Sequence, residues 1–226
     1  MKHTTKEKVN YLKEFVLEQR KTLLERMIQE RTGYITVVLE NLYQQHNCSA
    51  VLRSCDCFGV QHVHVIENEN TFTDNAEISM GASDWLTLHR YRGTANNTMT
   101  AIRALREQGY RIVATTPHEQ DQFIDDIDLN RGKMAFFFGT ELTGLSDEVL
   151  READEFVKVP IYGFMESYNV SVCAALLMYS VVQRLRRSTI DWRLSPADRD
   201  EVLLAWYRHS VKASAQILER FEQENE

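Results

Sequence analysis

The sequence predicts an α/β protein built on a mostly parallel β-sheet, flanked by helical extensions at both ends. Three observations carry this. Short β-branched or aromatic runs alternate with stretches of helical periodicity, the pattern of strands joined by crossover helices. Polar turn residues gather at residues 46–60, 136–146 and 159–175, between apolar elements, where such proteins place ligand chemistry. With only three prolines and nine glycines, and no repeat or linker tract, the chain fits one domain with extensions, or two small ones.

The elements follow in order. Residues 6–30 place Val9, Leu12, Val16, Leu23 and Met27 at helical spacing, and Gly33 is read as the stop. Residues 34–39 (Y-I-T-V-V-L) form a buried strand, and residues 46–58 suit a helix. Residues 63–66 are the next strand, and residues 85–91 are a candidate for another. A helix over residues 95–108 closes at Gly109. Residues 110–114, 134–138 and 156–159 are further strands. Residues 170–185 make a helix whose small and aliphatic face looks buried on several sides. Ser195, Pro196 and Asp198 open a last helix, as N-cap, first-turn proline and capping acid. The boundaries expected are an N-terminal extension at 1–31, a core at 32–188 and a C-terminal extension at 189–226. The apolar faces of the terminal helices can pack on the core or on a second subunit.

Composition excludes several classes. A hydrophobic share of 43% is ordinary for a globular protein. No apolar run approaches the roughly 20 residues of a membrane span, and the polar N-terminus has no signal core, so a cytoplasmic protein without a membrane is expected. Cys55 and Cys57 form a lone C-x-C without a second pair, so reduced thiols are expected rather than zinc. His46, His62, His64 and His89 invite a metal reading, and His62 and His64 share one strand face, but no third ligand is evident, so solvated or core histidines are expected and no metal. The net charge of -7 argues mildly against a nucleic-acid partner. Its distribution softens that, because the middle is acidic and the ends are balanced. Arg184, Arg186 and Arg187 form a cluster, either a docking surface for a polyanion or a solvated helix face.

Nucleotide cradles are missing. No two glycines lie two residues apart, so the dinucleotide fingerprint is absent. Gly139 and Gly144 have phosphate-loop spacing, but Leu145 stands where the lysine belongs. Gly139, Gly144 and Gly163 instead fall in turns after strands, where backbone groups can approach a ligand such as adenine or an amino-acid tail.

Taken together, the loops resemble the motifs of the SpoU branch of the SPOUT class of RNA 2′-O-methyltransferases. The first is N-x-x-A-x-x-R (Asn47, Ala50, Arg53), followed by F-G-V. The second is F-G-x-E-x-x-G-L-S, from Phe138 through Gly139, Glu141 and Gly144 to Ser146. The third, V-P-I-x-G-x-x-x-S-x-N-V-S-V-x-A-A, runs from Val159 through Ser167 and Asn169 to Ala175. The resemblance covers roughly residues 34–185. It implies S-adenosylmethionine bound in a C-terminal trefoil knot, a homodimer with its active sites at the interface, and methyl transfer to a ribose 2′-OH. The single N-terminal helix and the wording of the third motif are most similar to enzymes acting on guanosine-18 in the tRNA D-loop, with ribosomal RNA or a non-catalytic RNA-binding role as alternatives. One departure is Tyr168, where family members often have an aliphatic residue.

Residue roles follow from the resemblance. Arg53 acts on the target hydroxyl. A guanidinium hardly ever gives up its proton, so orienting the hydroxyl and stabilising the developing oxyanion is the safer role than base. Asn47 either caps its helix or binds ribose or phosphate. Glu141 holds a fixed position across the dimer or pairs with Arg53. Ser167 and Asn169 face substrate or Arg53, with helix capping as the alternative for Asn169. Thr115, Gly139, Val159, Ile161 and Tyr168 are the cofactor contacts, largely through backbone, and Thr115 is equally a plain strand-end hydroxyl.

Overall fold

The structure, a computed structural model, describes residues 3–42, 44–72, 75–117 and 121–223. Its elements are α1 (Thr5–Lys13), α2 (Glu18–Gln29), β1 (Ile35–Glu40), α3 (Gln45–Phe58), β2 (His62–Ile66), α4 (Ala76–Ser79), β3 (Thr87–Tyr91), α5 (Asn97–Glu107), β4 (Arg111–Thr115), β5 (Gln122–Phe123), β6 (Met134–Phe138), α6 (Asp147–Glu152), β7 (Glu155–Lys158), α7 (Val170–Arg187), α8 (Pro196–Ser210) and α9 (Ser214–Gln223). The strands form one sheet in the order β3-β2-β1-β6-β4-β7-β5, and the pairings among them are parallel.

The chain divides into two compact units, one of Met1–Arg31 with Arg193–Glu226 and one of Thr32–Trp192. In the larger unit the sheet is covered on both faces. Ile35, Val37, Leu39, Val113, Phe136 and Phe138 point into one core with residues of α3 and α7. Val38, Ile112, Ala114, Ala135 and Phe137 point into the other with residues of α5. The alternation is the two-residue period of a strand, and burial on both sides explains why these strands read as unbroken apolar runs. Asn96 caps α5 by accepting from Met99 N–H at 2.8 Å, and Gly109 leaves that helix at φ +81°.

The smaller unit packs α1 and α2 with α8 and α9 around Leu12, Leu24, Ile28, Trp206 and Leu218. The single N-terminal helix expected over residues 6–30 is two helices, and the last helix is also two. The reason lies in the buried faces. A continuous helix would place Leu12 and Leu24 about 120° apart. The break between Lys13 and Glu18 lets Leu24 and Ile28 be buried instead of Leu23 and Met27. Gly33 is not the stop, since α2 ends at Gln29. The opening of α8 is as expected: Asp198 N–H donates to Ser195 Oγ at 3.1 Å with Pro196 in the first turn. No helix among the described residues is long and apolar enough to cross a membrane.

His62, His64 and His89 meet on β2 and β3. His62 Nδ1 lies 3.1 Å from His89 Nε2, His64 Nδ1 lies 2.9 Å from Tyr91 Oη, and His64 stacks on His89 with ring centroids 4.4 Å apart. His64 is a core histidine, and burial pushes its pKa down to about 2. The folded protein keeps this ring neutral, while the unfolded chain takes up a proton below its ordinary value of 6.5. Its contribution is therefore present above that pH and is lost as pH falls toward 2. A near-isosteric His64→Gln variant is expected to remove up to about 1.4 kcal/mol per pH unit of the acid destabilisation between pH 6.5 and 5. Urea unfolding midpoints across that range, for both proteins, test it.

Candidate active site

A cavity of about 360 Å³ opens at the C-terminal ends of β4, β6 and β7, three neighbours in the sheet. Thr115 to Pro117, Phe138 to Leu145 and Val159 with Ile161 and Glu166 to Tyr168 supply most of its wall. Each segment leads out of a buried strand, so the sheet itself fixes the mouth. Thr115, Gly139, Val159, Ile161 and Tyr168, the cofactor contacts expected from sequence, all line this one cavity, and so do Glu141 and Ser167.

The wall after β6 is a tight antiparallel turn. Thr140 N–H donates to Gly144 C=O and Gly144 N–H donates to Thr140 C=O, both at 3.0 Å. Gly144 sits at φ +71°, and a Cβ on Gly139 would lie 2.1 Å from Gly144 O. Those two glycines are sterically required. Gly163 is not: it has open space around it and no positive φ. It is also not among the residues that line the cavity.

The wall after β7 closes on itself, with Tyr168 Oη donating to Pro160 C=O at 3.0 Å. Tyr162 and Phe164 stand fully exposed between those two points. Thr115 donates its hydroxyl to Phe137 C=O at 2.6 Å, so what it offers the cavity is its methyl group and backbone. Cys173 lines the floor, and burial pushes its thiol up to about 11, which keeps it protonated and inert.

Beside the cavity, Asn47, Glu141 and Asn169 form a ring of hydrogen bonds. Asn47 Nδ2 donates to Glu141 Oε1 at 3.1 Å, and Asn169 Nδ2 donates to the same oxygen at 2.7 Å and to Asn47 Oδ1 at 3.0 Å. This corrects two expectations. Asn47 does not cap α3, which starts at Gln45 with no side-chain cap. Asn47 is buried in the first turn, and its amide turns to the ring. Glu141 pairs with the two amides rather than with Arg53. Asn169 takes the capping alternative, since its Oδ1 accepts from Ser171 N–H at 2.9 Å and caps α7, and its amide meets Glu141 and Asn47 rather than Arg53.

Arg53 is exposed on α3 and makes no hydrogen bond or ion pair among the described residues, so its guanidinium is available. Ser167 Oγ likewise makes no hydrogen bond among them. The three arginines of the cluster make different contacts, although Arg184 and Arg187 line one hollow. Arg184 donates to Ile124 C=O at 2.9 Å and to Ile127 C=O at 2.5 Å, a structural use of its whole fork. Arg186 lies over the Trp192 ring at 4.7 Å. Arg187 borders a shallow hollow with Asp126 and Asp128. Among the described residues no group of three or more His, Cys, Asp or Glu side chains is placed to hold a metal ion.

Sequence reading missed Glu40, the polar end of the apolar run I-T-V-V-L-E. Its one visible signal was a carboxylate closing an otherwise buried strand. It is only 2% exposed.

The chain is similar to known proteins along most of its length. The model of the SpoU rRNA methylase family matches residues 34–179. A tRNA (guanosine(18)-2′-O)-methyltransferase of Borreliella burgdorferi is 42% identical over 205 residues, 91% of this chain and 92% of that protein. The crystal structure of a TrmH/SpoU tRNA-modifying enzyme of A. aeolicus superposes with a TM-score of 0.74 at 26% identity, covering 86% of this chain and 98% of that one. The SpoU methyltransferase AviRb of Streptomyces viridochromogenes, solved with the cofactor AdoMet, shares the fold with a TM-score of 0.58 at 21% identity, over 72% of this chain and 62% of that one.

The steric requirement at Gly139 is directly testable. Gly139→Ala has to push the Thr140–Gly144 turn outward, because the atom it meets is backbone. Amide hydrogen exchange at Gly144, whose N–H donates to Thr140 C=O, is expected to be slowed in the parent protein and to accelerate by roughly tenfold or more in the variant as that bridge opens. A variant that keeps slow exchange there contradicts the geometry.

Proposed function

The chain belongs to the SpoU rRNA methylase family, and from that premise we propose that it transfers a methyl group from S-adenosylmethionine to the 2′-OH of guanosine 18 in tRNA. The observation that carries the choice of substrate is the 42% identity to a tRNA (guanosine(18)-2′-O)-methyltransferase along nearly the full length of both chains. When bound, S-adenosylmethionine supplies an electrophilic methyl group. The 360 Å³ cavity fits the cofactor's chemistry, with backbone edges after Gly139 and Val159 and the aliphatic side chains of Leu142, Leu145, Leu150 and Ile161.

Arg53 is the residue we assign to the reacting hydroxyl. Its guanidinium donates to the hydroxyl oxygen and to an adjacent phosphate, which orients them and stabilises the negative charge that develops as the hydroxyl proton passes to solvent water. Glu141 Oε1 is occupied by two amides. Its Oε2 makes no hydrogen bond among the described residues and is the oxygen left to meet a bound nucleotide. Asn47 and Asn169 fix that carboxylate, and Ser167 offers a free hydroxyl on the same rim. Thr115, Gly139, Val159, Ile161 and Tyr168 hold the cofactor.

A trefoil-knotted core over residues 32–188 and a homodimer belong to the same proposal. Exposed Val172, Leu176 and Tyr179 on α7 support the dimer, since they give that helix an apolar outer face. For docking of tRNA we assign Arg187 and Arg186, with Arg184 holding the segment beneath.

Arg53→Ala is expected to lower methyl transfer by roughly a hundredfold to a thousandfold, with cofactor affinity changed by less than about threefold. Mapping the modified nucleotide in unmodified tRNA and in ribosomal RNA decides the substrate: label in ribosomal RNA alone would sink the tRNA assignment. Arg187→Glu is expected to weaken tRNA binding and to flatten the slope of log K against log salt by about one. Arg184→Glu is expected instead to lower the melting temperature, because it strips two backbone carbonyls of their donor.

A further inference from the structure

We propose that Glu40, at the C-terminal end of β1, is a positioning residue for methyl-donor binding: a buried carboxylate that anchors the far stem of the loop after β6. The inference rests on the proposed function, because it concerns the affinity of that cofactor site.

Glu40 is 2% exposed and has no ion-pair partner among the described residues. A buried carboxylate is costly unless its oxygens are satisfied by donors. Here three donors converge on it. Thr98 Oγ1, on α5, donates to Oε1 at 2.7 Å. Ser146 Oγ donates to the same oxygen at 2.7 Å, and Ser146 N–H donates to Oε2 at 2.9 Å. Both oxygens of one side chain therefore hold one residue, Ser146, through its backbone and its hydroxyl.

Ser146 is where the loop ends. It follows Gly144 and Leu145, both in the cavity wall, and it caps α6, whose Leu150 is in the wall too. The loop's other bonds do not replace this anchor. The Thr140–Gly144 pair is internal and moves with the loop. Glu141 is tied to Asn47 and Asn169, but at the loop's near side. Among the described residues the Glu40 contact is the hydrogen-bonded tie of the far stem to the sheet, beside the packing of Leu145 in the core, and it comes from β1, a strand hydrogen-bonded to β6. Glu40 does not line the cavity, so any effect on the cofactor must pass through the loop.

The chemistry selects the test. In Glu40→Gln one oxygen still accepts from Thr98 and Ser146 hydroxyls, but the new NH₂ faces the Ser146 N–H, donor against donor. The backbone anchor is lost with little change in volume. Thr98→Val removes a donor from α5 without touching the loop, although it also costs the bond from Asn68 Nδ2 at 2.8 Å.

Calorimetry with S-adenosylmethionine and steady-state methylation of unmodified tRNA read the result. Glu40→Gln is expected to bind the cofactor roughly tenfold to a hundredfold more weakly, equivalent to about 1.4–2.8 kcal/mol. Its KM for the cofactor rises in step, while kcat at saturation and KM for tRNA change by less than about threefold. Thr98→Val is expected to weaken the cofactor by roughly threefold in the same pattern. Unchanged cofactor affinity in both variants overturns the proposal. So does a fall in melting temperature accompanied by equal losses for cofactor and tRNA, which would mark Glu40 as merely structural. Should Glu40→Gln not fold, Thr98→Val decides alone. A wild-type protein that gives no heat with the cofactor overturns the reading of function, and this inference with it.

Discussion

One carboxylate oxygen, Glu141 Oε1, is shared by the amides of Asn47 and Asn169, and the architecture of the site hangs on that sharing. The three residues come from α3, from the turn after β6 and from the start of α7, separated by 94, 28 and 122 positions in sequence. None of the three segments is held to the others by strand pairing. Two amides that each donate to the same acceptor, and that also bond each other, fix angles as well as distances. A parallel sheet makes this necessary. Its faces are buried, so polar groups can gather only at the strand ends, where the backbone offers them no ladder.

Much of the fold was legible in the sequence because it rests on local rules. Phe136, Phe137 and Phe138 could only be a strand buried on both faces, and the cap at Ser195 followed from its neighbours. The site was legible to the extent that it was written as motifs. The five expected cofactor contacts line one cavity because four of them end a strand or follow one within three residues, so spacing along the chain translates into proximity; Tyr168 lies ten residues past β7 and is turned back by its bond to Pro160 C=O. What was not legible has a physical reason in each case. Asn47 is a strong N-cap residue by type, and only the position of Glu141 decides that its amide turns inward. The break in the N-terminal helix answers to which face is buried, a tertiary fact invisible to a periodicity in which Leu23 and Leu24 score alike. The arginine cluster looked like charge, yet Arg184 is a hydrogen-bonding bracket.

The charge balance also resolves by region. Met1–Arg31 with Arg193–Glu226 carries 13 basic against 12 acidic residues, while Thr32–Trp192 carries 13 against 21. The net negative charge belongs to the sheet-bearing unit. Four of its carboxylates are tied down, Glu40 and Glu141 by hydrogen bonds, Glu155 by Arg111 and Arg131, and Glu152 by Arg106. What a polyanion meets is set by the charges within about a Debye length of where it lies, which a sum over the chain does not locate.

The clasp between Tyr168 Oη and Pro160 C=O has a consequence for how this protein can change over time. It closes the seven residues between them into a ring whose ends are fixed independently of its contents. Tyr162, Phe164 and Met165 inside it are exposed and add little to the core, and Gly163 faces open space. Substitutions there escape the purge that removes destabilising changes elsewhere in the chain. The ring is a stretch of sequence where drift is cheap for folding and is read only by whatever approaches the cavity, so it is where descendants of this protein can part ways in what they recognise while the scaffold stays the same.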